Sequence, residues 1–218
     1  MTTNRSDGME TRKRLLDAAE SVFAVKGFRE SKVAEICRMA KANIAAVNYH
    51  FGSKEELYVE AWRHSFKHSI EAYPPDGGVS AAAPAEDRLR GQILALMRRI
   101  MDPASLDFDI VHKEMANPTG LLSEVMRRSI EPLRQEFMAV VRELLGAKAT
   151  EQQVRLCEIS IHSQCFGPLM HERHRRNLPK ERKRMGPCAK EIECSVLAEH
   201  VFRFSLAGIR EVRGRSEP

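Results

Sequence analysis

Apolar residues recur along most of the chain at intervals of three and four, the period of an amphipathic helix. Leu15, Ala18, Ala19, Val22 and Phe23 make one such stripe, and Gly27 stands where a helix can end in the left-handed region. A shorter stripe, Val33, Ile36, Cys37 and Ala40, follows Ser31, a residue type suited to the N-cap. Beyond a turn at Lys41-Ala42, Asn43 is placed to cap a third helix that runs to about His50 and is broken by Gly52. Ser53 with Glu56 three residues on reads as a capping box that opens a long fourth helix through Leu57, Trp62 and Phe66. Residues 73–84, rich in Pro, Gly, Ala and Ser, read as a loop. Helical spacing resumes over 85–101, about 107–115, 121–145 with Pro132 inside it, about 150–175 and about 189–211. The first eight residues and the tail from Arg213 are expected to be disordered.

Alternating strand patterns and Asn-Gly hairpins are absent, so the expected fold class is all-α with about nine helices. Two short helices joined by a tight turn and held by a preceding helix make a helix-turn-helix arrangement. Its second helix fits the major groove and reaches base edges with its N-terminal residues. A three-helix helix-turn-helix domain is therefore expected over 1–52, followed by a larger helical domain over 53–218.

Composition changes this picture only at its edges. With 43% hydrophobic and 30% charged residues, the chain can bury a core beneath a polar surface, and no run of eighteen apolar residues exists to span a membrane. The N-terminus lacks the apolar middle of a secretion signal. Five scattered cysteines, with no CxxC, suit reduced thiols, so a cytoplasmic location is expected. A net charge of +5 and a pI near 9.0 permit nucleic-acid binding without requiring it.

The residues from Thr11 to Tyr58 resemble the DNA-binding domain of the TetR regulators. The likeness rests on Arg14-Leu15-Leu16-Asp17-Ala18-Ala19, Phe23, Lys26-Gly27-Phe28, Val33, Ile36, Ala40, Val47, Tyr49-His50-Phe51 and Ser53-Lys54-Glu55-Glu56-Leu57-Tyr58. The family often has Gly at the turn, where Lys41 stands here, and Gly-Thr-Leu-Tyr where this chain has Ala45-Ala46-Val47-Asn48. The run from Asn43 to Phe51 is similar to the CecR-like subgroup, as are Met115-Ala116-Asn117-Pro118 and the stretch from Phe202 to Ile209.

The resemblance implies a homodimer on a double-stranded DNA operator, with groove-facing positions at Asn43, Ile44, Ala45, Ala46 and Asn48. Asparagine pairs best with adenine, and alanine methyls suit thymine methyl contact. Tyr49, His50 and Lys54, with Ser31 and Lys32 at the second helix, match positions that hold phosphates. Read singly, Asn and His on a short helix are plain solvated residues, Tyr49 fits core or contact equally, and Val47, Phe51 and Ile36 read as core.

The resemblance also implies that the larger domain dimerises and binds a small effector of unknown identity. The dimer surface is expected on the last two long helices, carrying Ile159, Phe166, Val196, Phe202 and Phe204, although their stripes suit an internal core equally. Candidate effector contacts are Trp62, Phe66, Met101, Phe108, His112, Met115, His162 and Phe166, most of them ordinary core. The alternative is a protein of the same fold regulated by a protein partner without a ligand. No paired nucleophile and base, glycine-rich phosphate loop or HExxH is present, so no catalytic residue, cofactor or metal is expected.

Three further clusters read blandly. His171-Glu172-Arg173-His174 has the spacing of a metal pair, but its cationic surroundings favour a solvated helix end. Arg182-Lys183-Arg184 reads as a solvated loop, and Cys157 and Cys165 as small buried residues rather than redox sensors.

Overall fold

A computed structural model describes residues 3–176 and 192–214. Among the described residues there are nine α-helices and no strand. They are α1 (Thr3–Glu30), α2 (Val33–Ala40), α3 (Ile44–Phe51), α4 (Lys54–Ala72), α5 (Ala85–Met101), α6 (Asp107–Ala116), α7 (Ser123–Leu145), α8 (Glu151–Arg176) and α9 (Cys194–Gly214). The first helix starts at Thr3, so the expected loose N-terminus is helical from that residue onward. No described helix is long and apolar enough to cross a membrane.

The chain divides into two compact units. The first holds residues 1–69 and 103–129, that is α1 to α3, most of α4, α6 and the start of α7. Its core joins Leu15, Phe23, Ile36, Val47, Leu57 and Trp62, so the α4 residues just past 52 share one interior with the first three helices. Burying such a set removes apolar surface from water, at roughly 25 cal/mol per Å².

Local chemistry explains the short helices. Gly27, one turn before the end of α1, has φ 72° and ψ −179°, and a Cβ there would come 3.3 Å from Lys113 Cβ of α6. Only glycine takes both the angle and the approach without strain. Lys41 closes α2 at φ 51°, ψ 45°, the left-handed conformation that glycine takes easily. Asn43 caps α3 as the sequence predicts, its Oδ1 accepting from the Ala46 N–H at 2.9 Å. Ser53 Oγ likewise accepts from the Glu56 N–H at 3.1 Å. Ser31 departs from expectation: the N-cap of α2 is Lys32, with no side-chain cap, and the Ser31 hydroxyl donates back to the Phe28 carbonyl at 2.7 Å.

The second unit holds residues 70–102 and 130–218, where α5 packs on α8 and α9. Leu89, Ile93, Met97 and Ile100 of α5 are buried, as are Ile161, Cys165 and Leu169 of α8 and Val201, Phe202 and Ile209 of α9. The Arg90 guanidinium lies 4.3 Å over the Phe202 ring and 3.2 Å from Glu199. The loop after α4 lies against α5 at Gly91, where a Cβ would meet the Asp76 carbonyl oxygen at 2.8 Å. Arg173 corrects a sequence expectation: it is buried and donates to the carbonyls of Ile100 at 2.7 Å and Asp102 at 3.0 Å, capping the end of α5. The residues Arg182-Lys183-Arg184 lie outside the described residues.

Candidate nucleic-acid interface

The helix α3 has two sides. Val47 and Phe51 point into the core, while Asn43, Ile44, Ala45, Asn48 and Tyr49 are exposed and Ala46 and His50 half-buried. The α2–α3 turn that holds this face outward is fixed by Ala42 N–H donating to the Cys37 carbonyl at 2.9 Å and by the Cys37 thiol against the Asn43 carbonyl at 3.6 Å. Tyr49 is 84% exposed, which removes it from the core, and its ring leans edge-on to His50 at 4.9 Å. An exposed apolar and aromatic surface on a short rigid helix suits methyl and sugar-phosphate contact in a groove.

The expected phosphate contacts separate into two groups. Lys32 is exposed with Tyr49 and Asn48. Ser31 is buried, and Lys54 Nζ donates to the carbonyls of Phe28 at 2.6 Å and Ser31 at 2.7 Å while resting 4.3 Å over the Phe28 ring. Burial pushes the Lys54 ammonium pKa down, opposed by Glu55. Lys54 therefore satisfies open carbonyls at and just past the end of α1 with two of its three N–H donors. Two further exposed cations, Arg38 and Lys41, stand at the turn beside α3, and sequence reasoning did not single them out as contacts.

The effector candidates fall in both units. In the first, Trp62 is buried, Phe66 stacks on it at 5.0 Å, Phe108 is buried and His112 half-buried. Met115 stands in solvent, 75% exposed, and lines nothing enclosed in this unit. In the second, Met101 and Phe166 are half-buried, and His162 stacks on Phe137 at 4.6 Å with Glu158 3.8 Å away. Burial pushes the His162 pKa down, Glu158 raises it and Arg134 lowers it. Sequence reasoning missed Ser65 and Ser69, which with Trp62 fall at i, i+3 and i+7 on α4. All three are buried, and Trp62 Nε1, Ser65 Oγ and Ser69 Oγ make no hydrogen bond among the described residues. Cys157 is half-buried and Cys165 buried; burial pushes both thiols up, Cys165 to about 12, away from the thiolate that reacts with oxidants.

A short exposed helix seated by a left-handed turn on the core of the first unit defines a helix-turn-helix DNA-binding regulator. Two family models match the chain, "Bacterial regulatory proteins, tetR family" over residues 15–61 and "HTH-type transcriptional dual regulator CecR, C-terminal domain" over residues 85–209. The chain belongs to the TetR family of transcriptional regulators, in the branch that carries the CecR C-terminal domain. It is similar to the HTH-type transcriptional dual regulator CecR of Shigella flexneri, 27% identical over 159 residues, which are 68% of this chain and 71% of that protein. It is also similar to the HTH-type transcriptional regulator SrpR of Pseudomonas putida, 27% identical over 139 residues, 63% of this chain and 62% of that one. A TetR-like transcriptional regulator from Rhodococcus sp. RHA1 shares the fold at a TM-score of 0.67 and 18% identity, over 92% of this chain and 96% of that one. All three relatives are transcriptional regulators by name.

Proposed function

We propose that the protein is a cytoplasmic repressor that binds a palindromic operator as a homodimer and is released by a small hydrophobic effector. The exposed face of α3 carries this reading, because Asn48 and Tyr49 stand free of the core that holds their helix. In this reading residues 1–52 serve DNA contact and residues 53–218 serve effector binding and dimerisation. Asn43, Ile44, Ala45, Ala46 and Asn48 face the groove, and Lys32, Tyr49 and His50 lie along the phosphates.

Dimerisation is supported by apolar side chains left in solvent on α8 and α9, Leu156, Ile159, Val196 and Phe204 among them. Phe202 belongs instead to the interior, beneath Arg90. Two half-sites about 34–36 Å apart would then be read together. The effector is supported over the protein-partner alternative by Trp62, Ser65 and Ser69, three buried groups that can donate but find no acceptor among the described residues. A molecule with an apolar body and a carbonyl or carboxylate end would supply the acceptors. It would release DNA only by preferring the conformation whose recognition helices mismatch the half-sites.

The test is fluorescence anisotropy of the purified protein on the DNA just upstream of its own gene, across a salt series. Expected are two protomers per site, steep weakening with salt, and loss of affinity in Asn48→Ala and Tyr49→Ala with unchanged melting. Binding that ignores sequence and both substitutions would end the operator reading.

A further inference from the structure

A second constellation lies within the first unit, away from α3. The helix α1 carries Asp17 and Glu20 three residues apart, and α4 carries His64 and His68 four apart, so each pair shares a helical face. Glu20 Oε1 and His64 Nδ1 are in hydrogen-bond contact. One ligand atom from each of Asp17, Glu20 and His64 lies within 4.8 Å of the other two. The His68 ring centroid is 4.0 Å from that of His64.

The electrostatics of this spot are unfavourable as it stands. Glu20 is only 8% exposed, and burial pushes its carboxyl up to about 8, helped by Asp17 and Asp107. Burial also pushes the His64 pKa down, as do Arg12, Lys13 and Lys67, against Asp17. Burial thus opposes the charged form of both groups where Glu20 and His64 meet. Neutral imidazole is the form that ligates metals.

We propose that Asp17, Glu20 and His64, with His68 as a neighbouring fourth donor, form a binding site for a divalent transition-metal ion, zinc fitting best. Two carboxylate oxygens with one or two imidazole nitrogens suit Zn²⁺, whereas Mg²⁺ and Ca²⁺ prefer oxygen alone. Bonds of about 2.0–2.2 Å draw ligand atoms closer than the present spread, which rotation of four side chains supplies. Glu20 and Asp17 come from the helix that supports α3, and His64 from the helix that runs on towards residue 72, so the ion would bolt the two together. The cations Arg12, Lys13 and Lys67 oppose an ion, and of these Arg12 is already paired with Glu60 at 3.1 Å.

The test uses full-length protein stripped with chelator, then titrated calorimetrically with zinc and analysed for metal after gel filtration. One zinc per chain and a raised melting temperature are expected. Affinity should fall at least tenfold in His64→Ala and in Asp17→Asn, the latter at an exposed position where the fold is not at stake. A His171→Ala/His174→Ala variant should keep the zinc. No uptake by the wild-type chain, or uptake that is untouched by Asp17→Asn and His64→Ala, overturns the proposal.

Discussion

The Tyr58 hydroxyl donates to Glu114 Oε2 at 3.1 Å, joining α4 to the end of α6 across fifty-six positions of sequence. Glu114 also accepts from the N–H groups of Thr119 at 2.8 Å and Gly120 at 3.0 Å, and from the Thr119 hydroxyl. The carboxylate thus organises the Asn117-Pro118-Thr119-Gly120 turn and anchors it to α4. Burial and Glu114 both push the Tyr58 pKa well above its ordinary value, so the phenol remains a donor.

Removing only the hydroxyl tests how much rests on that bond. Tyr58→Phe leaves Glu114 with three donors and should cost about 1–2 kcal/mol of stability in urea unfolding. Glu114→Ala strips the turn of its acceptor and should cost more, roughly 2–4 kcal/mol. Equal losses in the two variants would mean that the turn does not depend on Glu114.

Lys41 occupies the left-handed region without being glycine, a strain of about 1–2 kcal/mol for a side chain with a Cβ. Its side chain is exposed and its N–H still closes α2 onto Arg38 at 3.3 Å. Lys41→Gly should therefore raise stability, by about 0.5–1 kcal/mol after the entropy glycine adds to the unfolded chain. Lys41→Ala should leave it nearly unchanged. A drop on Lys41→Gly, followed by thermal melting, would show that strain at the turn is negligible.

How far the sequence reached depends on whether the deciding partner is near or far. Asn43 caps α3 through the Ala46 N–H three residues away, so spacing alone revealed it. The bounds of α5 follow from its own periodicity in the same way. Ser31 had two local choices and takes the Phe28 carbonyl, while its own carbonyl is reached by Lys54, twenty-three residues on. Arg173 sits in a run of basic residues that reads as solvated, yet its acceptors are 73 and 71 positions back at the end of α5. Glu20 and His64 are forty-four apart, and nothing in either local pattern points to the other. Helical polar residues such as Ser65 and Ser69 read as solvent-facing until the packing of α4 buries them.

Lys54 supplies a direct contrast between a structural and a phosphate role. Its ammonium makes two charge-assisted hydrogen bonds to the end of α1, each worth about 1.5–3 kcal/mol when lost with the acceptors left unpaired. Lys54→Met should keep the apolar contact with Phe28 and still lower stability by about 2–4 kcal/mol. The salt slope of operator binding should stay the same, because no phosphate contact is removed. A flatter slope by about one unit with unchanged stability would instead assign Lys54 to the DNA backbone.

His162 ties the second unit to pH. Burial holds its folded pKa below the ordinary 6.5, Arg134 presses the same way, and Glu158 pulls against them. The Glu158 carboxylate is already occupied by Arg134, at 2.8 Å from Nη2, which limits what it can offer a protonated imidazole. A depressed histidine contributes stability that is fully present above the unfolded pKa and is lost as pH falls, since the unfolded chain then takes up a proton that the native state refuses. His162→Phe keeps a ring against Phe137 and removes the titration. Its melting temperature relative to wild type should therefore be higher at about pH 5.5 than at about pH 7.5, a window set by the histidine range. An offset that does not change with pH would place the folded pKa of His162 at its unfolded value and remove burial as the controlling influence on that ring.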